Sequence, residues 1–121
     1  TPHESSAASD VYKRQVKKKD AMKMLLTGEM IDAEEAKRIS LINDYVVSEK
    51  LSVEVMNLAK KIASKSMKTV NIGKSAFYKQ AELSLSDAYR YTSEVMAKNI
   101  MNDDAKEGIA SFIEKRDPNW D

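Results

Sequence analysis

The sequence predicts a mainly α-helical fold, with one short extended segment near residues 44–47. Three observations carry that prediction. Apolar residues recur at three- and four-residue spacing along most of the chain, the period of a helix with one buried face. Glycine and proline number only 3 and 2, too little punctuation for the many turns of an all-β fold. No regular alternation of strand-like and helix-like segments suggests βαβ units.

Each element follows from local signals. Residues 1–9 are polar and aperiodic and read as disordered. Asp10-Val11-Tyr12-Lys13-Arg14-Gln15 matches the translation of a transposon end used in sequencing-library preparation. Residues 1–15 are therefore expected to be a disordered or non-native tail, and 16–121 the structured region; a genuine basic tail is the alternative. Val16 to Leu26 is amphipathic, and Thr27-Gly28 stops it, with Gly28 suited to a left-handed C-terminal cap. Asp32 followed by Glu35 resembles a capping box and starts a short helix to about Ile39. Leu41 to Val47 is rich in Ile, Tyr and Val and is expected to be extended. Ser48 suits the N-cap of a third helix, in which Leu51, Val55, Leu58 and Ile62 should face a core. After a break at Ser64–Lys68, a fourth helix should run from Thr69 to about Glu82 and bury Val70, Ile72, Ala76, Phe77 and Gln80. Gly73 in its middle suggests close helix packing. Ser84 or Ser86 caps a fifth helix with Leu85, Ala88, Tyr89, Thr92, Val95 and Met96 inward. Asp103 begins the last helix, which carries Ile109, Phe112 and Ile113 and ends by Pro118.

Composition excludes several function classes. Twenty basic residues against 19 acidic leave a formal charge of +1, so no overall field attracts nucleic acid. Cysteine is absent, which removes disulfides and thiolate metal sites. No apolar run approaches the roughly 20 residues of a membrane span, and the N-terminus has no apolar signal core. A cytoplasmic location is the resulting expectation. The single histidine, His3, lies in the doubtful tail, so a Ser-His-Asp or Cys-His arrangement has no base. No Gly-rich phosphate loop occurs. Glu34-Glu35 and Asp103-Asp104 are adjacent pairs, and neighbours on a helix point apart. They read as helix-start charges near the positive dipole end, not as an acid–base dyad. Lys17-Lys18-Lys19 reads as a solvated helix start, and the 7 methionines as core filling.

Whole motifs carry the reading further. Ala21 to Glu29 (Ala-Met-Lys-Met-Leu-Leu-Thr-Gly-Glu), followed by Ile31-Asp32-Ala33-Glu34-Glu35-Ala36, resembles a signature segment of the crotonase (enoyl-CoA hydratase/isomerase) superfamily. Leu41-Ile42-Asn43 with Val46-Val47 follows at the family's spacing. Ile72-Gly73-Lys74-Ser75-Ala76-Phe77-Tyr78 and the ending from Glu107 to Arg116 with Pro118 and Trp120 are similar to two further family motifs. The resemblance covers about Lys17 to Asp121. One departure stands out: Ser40 occupies a position where the family usually has glycine. If that position needs a positive φ, serine costs about 1 kcal/mol.

The resemblance implies the C-terminal helical, trimerising region of a crotonase α/β spiral fold. In such subunits the spiral forms the thioester pocket, two backbone N–H groups bind the thioester oxygen, and the resulting enolate is stabilised. Hydratases add two glutamates that direct water. All lie upstream of the matched region, so no catalytic residue and no metal ligand is assigned here. The implied partner is an acyl- or enoyl-CoA thioester as substrate, with no separate cofactor, no nucleic acid and no membrane. The implied assembly is a homotrimer or hexamer. Phe112 and Lys115 match the family's coenzyme A contacts: an aromatic face by the adenine, an ammonium near adenine or phosphate. Lys106 and Arg116 are the alternative cations. The leading expectation is a C-terminal fragment of a thioester enzyme, itself inactive; the alternative is a non-catalytic oligomerisation or interaction module. Alone, such a chain is expected to self-associate or stay partly molten.

Overall fold

Helix α1 (Lys18–Thr27) ends as the sequence predicts, with Gly28 at φ 61° and its N–H donating to Met24 O at 3.0 Å. The computed structural model describes residues 14–120. The expected tail therefore lies mostly outside the described residues; Arg14 and Gln15 have helical backbone. Asp32 caps α2 (Ala33–Arg38) by accepting from Glu35 N at 2.8 Å. Only half of the expected capping box forms. The Glu35 carboxylate turns instead to Arg38, accepting two bonds of 2.6 Å. Ser40 has φ 66°, the left-handed conformation its glycine-like position demands. Its N–H reaches Lys37 O at 3.0 Å while Leu41 N–H reaches Ala36 O at 2.9 Å, a Schellman closure built on serine.

The chain divides into two units, Thr1–Glu54 and Val55–Asp121. In the first, Val16, Ala21 and Ile39 form a small core, with Met24, Ile31 and Leu41 packed against it. Residues 44–47 form no strand. Val47 is extended, but strand structure needs a neighbouring edge, and none pairs here among the described residues. Ser48 is not a cap: Val47 takes that place, and Ser48–Lys50 form a 3-10 turn leading into α3 (Leu51–Ala63). No residue of α3 is buried, so the expected core stripe of Leu51, Val55, Leu58 and Ile62 stays about half exposed.

The second unit is built on α4 (Met67–Ala81), α5 (Leu85–Asn99) and α6 (Asp103–Glu114). Helix α4 starts two residues earlier than predicted because Ser66 caps it, accepting from Thr69 N at 3.1 Å. Ser84 caps α5, and Asn102, which the sequence reading passed over, caps α6. A short connection makes α4 and α5 packed neighbours, with alanines Ala76 and Ala88 buried. Thr69, Ile72, Ala76, Thr92 and Val95 line the groove along that pair. Lys79 Nζ lies 4.5 Å from the Tyr91 ring centroid. Several predicted inward residues point out: Phe77, Leu85, Tyr89 and Met96 are all mostly exposed. Gly73 mediates no close packing, since a Cβ there would meet nothing within 4 Å. The methionines are not core filling either; Met24 is half-buried and the other six are exposed. The physical reason is common to all of these. A helical stripe specifies that a face is apolar, while burial needs a partner surface, and the described residues supply few.

Candidate functional site

Helix α6 carries Phe112, and Lys115 follows directly at its C-terminal end; these are the two residues singled out for coenzyme A contact. Asn102 Oδ1 accepts from Ala105 N at 2.8 Å and opens the helix. Asp103 and Asp104 occupy its first turn, as expected for helix-start carboxylates. Their fates differ. Asp103 is exposed and lies 3.8 Å from Lys106. Asp104 is buried and accepts a hydrogen bond from the Ser66 hydroxyl, which in turn caps α4. Two helix starts are thus tied together by one buried polar pair. The buried side of α6 is small and polar, with Asp104 and Ser111 inside. The predicted apolar residues Ile109, Phe112 and Ile113 face out.

The helix stops before Pro118. Lys115 turns left-handed at φ 54°, its N–H reaching Phe112 O at 3.4 Å, and Arg116 N–H reaches Ser111 O at 3.0 Å. The Schellman closure places Lys115 just beyond the helix, so Phe112 and Lys115 share its C-terminal end without the simple one-face relation of residues inside a helix. Phe112 is 84% exposed. Lys115 is exposed and has no ion pair among the described residues.

The neighbouring cations are engaged. Arg116 donates to Glu107 at 2.5 and 3.1 Å and to Glu114 at 2.5 Å. Asn119 N–H donates to Glu107 Oε1 at 2.9 Å. The Arg116 hydrogen bonds, then the Asn119 amide, hold the Glu107 carboxyl down at about 2. Arg116 is pushed further up by Glu107 and Glu114. So acidic a carboxyl is a poor proton acceptor near neutral pH, which removes Glu107 from consideration as a base. Beyond it, Trp120 Nε1 donates to Ser64 O at 2.9 Å, and its ring lies against Gly108.

The first unit holds a half-open cavity of about 260 Å³ lined by Asp20, Lys23, Met24, Glu29 and Ile31 among others. Glu35 at its edge is lowered by its bond to Arg38. Among the described residues no group of three or more His, Cys, Asp or Glu could hold a metal ion. No described helix is long and apolar enough to cross a membrane. Sequence reasoning missed the Ser66–Asp104 pair, 38 residues apart, and the Glu107–Arg116 pair, nine apart. Neither separation is a helical period, so no local signal marks them.

The profile described as Enoyl-CoA hydratase/isomerase matches residues 3–121. The chain belongs to the enoyl-CoA hydratase/isomerase family. It is 47% identical over 107 residues to the Mus musculus protein named enoyl-CoA hydratase domain-containing protein 3, mitochondrial, and 44% identical to the Homo sapiens protein of that name. Those alignments cover 88% of this chain but only 36% and 35% of the relatives. Among solved structures, an enoyl-CoA hydratase from Mycobacterium smegmatis matches with a TM-score of 0.91 at 37% identity, over 95% of this chain and 45% of that one. The human domain-containing protein 3 matches at 0.88 and 42%, over 93% and 44%. The residues Phe77-Tyr78-Lys79-Gln80 and the Lys-Arg-Asp-Pro-Asn-Trp ending resemble that branch. The family match and the helical architecture agree with the fold expected from the motifs.

Proposed function

We propose that this chain is the C-terminal part of a longer enzyme that acts on acyl- or enoyl-CoA thioesters through an enolate, with hydration as the favoured outcome. The catalytic groups belong to the preceding part, and this chain alone is inactive. The observation that carries the reading is the enoyl-CoA hydratase/isomerase match over residues 3–121, and the end of α6 offers the ligand contact. There Phe112 is exposed, and Lys115 is the cation left unpaired among the described residues while Lys106 and Arg116 have carboxylate partners. Phe112 would lie against the adenine face, and the Lys115 ammonium would meet a phosphate of coenzyme A. The thioester is substrate, and no separate cofactor is needed.

Lys115→Glu in the longer protein is expected to abolish retention on a coenzyme A resin. Unchanged retention would remove the contact. Assembly as a trimer or hexamer belongs to the same proposal and is supported by the apolar stripe that α3 leaves exposed. The alternative is a non-catalytic oligomerisation or interaction module of the same family. Consumption of an enoyl thioester by the longer protein separates the two. The cytoplasmic location stands as a proposal beside relatives whose names carry the word mitochondrial. Uptake of the longer protein by isolated mitochondria would overturn it.

A further inference from the structure

A helix that ends on a left-handed lysine needs something to hold it, because that conformation favours glycine. Residue 115 is flanked by Glu114 and followed by Arg116, and Glu107 sits two turns back on α6. Both carboxylates are occupied by one guanidinium. Arg116 grips Glu107 through two nitrogens at 2.5 and 3.1 Å and Glu114 through Nε at 2.5 Å. The Asn119 amide adds a third donor to Glu107 at 2.9 Å, drawing the chain after Lys115 back along the helix. An arginine fork suits this geometry and a lysine point charge does not.

We propose that Glu107 and Arg116 are positioning residues for the coenzyme A contact: they hold Lys115 in its left-handed turn and keep the Glu107 and Glu114 carboxylates engaged with Arg116 rather than with its ammonium. This rests on the proposed contact of Lys115 with the nucleotide end of the thioester. Neither Glu107 nor Arg116 touches the ligand; both act through Lys115. The pair therefore tunes recognition of the nucleotide half of the substrate, independently of the acyl half.

The test uses the longer enzyme and two forms of one substrate: the coenzyme A thioester and the N-acetylcysteamine thioester, which lacks the nucleotide. Glu107→Gln keeps the side chain's shape, and Arg116→Lys keeps the charge but not the fork. Each is expected to raise KM for the coenzyme A thioester by about tenfold, the scale of one charge-assisted hydrogen bond, with kcat held. The rise should be absent with the N-acetylcysteamine thioester. Lys115→Ala should show the same KM rise, and adding Glu107→Gln to it should raise KM no further. Equal losses on both substrates would mean a general structural role and overturn the proposal. A KM rise for Lys115→Ala without one for the pair variants would overturn the positioning role and leave the contact standing. An unchanged KM in Lys115→Ala would overturn the contact and the positioning role together.

Discussion

The exposed stripe on α3 makes a quantitative prediction about the chain in isolation. Leu51, Val55, Leu58 and Ile62 lie on one face and are 49–59% exposed. Full burial of such a side chain stabilises by about 1.5–3 kcal/mol, so each retains about 1 kcal/mol of unrealised burial and the stripe about 4 kcal/mol. That is comparable to the lower end of the association cost, about 4 kcal/mol. Pairing of two stripes recovers about 8 kcal/mol and leaves about 4 kcal/mol net, so the stripes alone should drive self-association at about millimolar concentration, and more tightly as other exposed apolar residues join. Leu58→Ser with Ile62→Ser removes about 2 kcal/mol per copy. Association should then weaken by at least tenfold, since about 1.4 kcal/mol corresponds to one decade. Sedimentation velocity across a concentration series measures this, with binding of a hydrophobic dye as a second readout. A monodisperse monomer with one sharp cooperative unfolding transition and no dye binding would refute the reasoning. It would mean that the stripe is covered by the chain itself.

Three further outcomes follow from local geometry. Asp104→Ala strips a buried acceptor from the Ser66 hydroxyl, and a cycle with Ser66→Ala should show a coupling of about 1.5 kcal/mol, read from amide exchange at Thr69; a coupling near zero would show that the pair contributes nothing. Ser40→Gly relieves a left-handed serine at φ 66° and should stabilise the first unit by about 0.5–1 kcal/mol, seen as slower exchange at the Leu41 amide, with faster exchange counting against it. Glu107 has a folded-state carboxyl depressed to about 2. Its contribution is therefore present above the ordinary unfolded value of about 4.3 and is lost as pH falls through the folded value. The Asn119 amide resonance should report a midpoint near 2, and a midpoint near 4 would show that Arg116 does not grip the carboxylate in solution.

What is settled within a few residues was legible in the amino-acid order alone. Gly28 at a left-handed cap and Asp32 at an N-cap appear as read, Ser84 is the one of the two candidate serines that caps, and Ser40 meets the condition of a positive φ, because a cap needs only its own turn of helix. Four motifs in order also placed the chain in its family. The sequence did not determine which apolar faces are covered. Phe77, Tyr89 and Ile113 sit at ordinary core spacings yet stay exposed, since periodicity reports an apolar face and not the surface that meets it. The state of Lys115 was equally hidden. Lys115 has no ion pair among the described residues, and beside it Arg116 folds back onto Glu107, nine residues earlier, across the left-handed turn that ends α6. Local chemistry decides where helices begin and end; contacts between elements decide which charges are left unpaired.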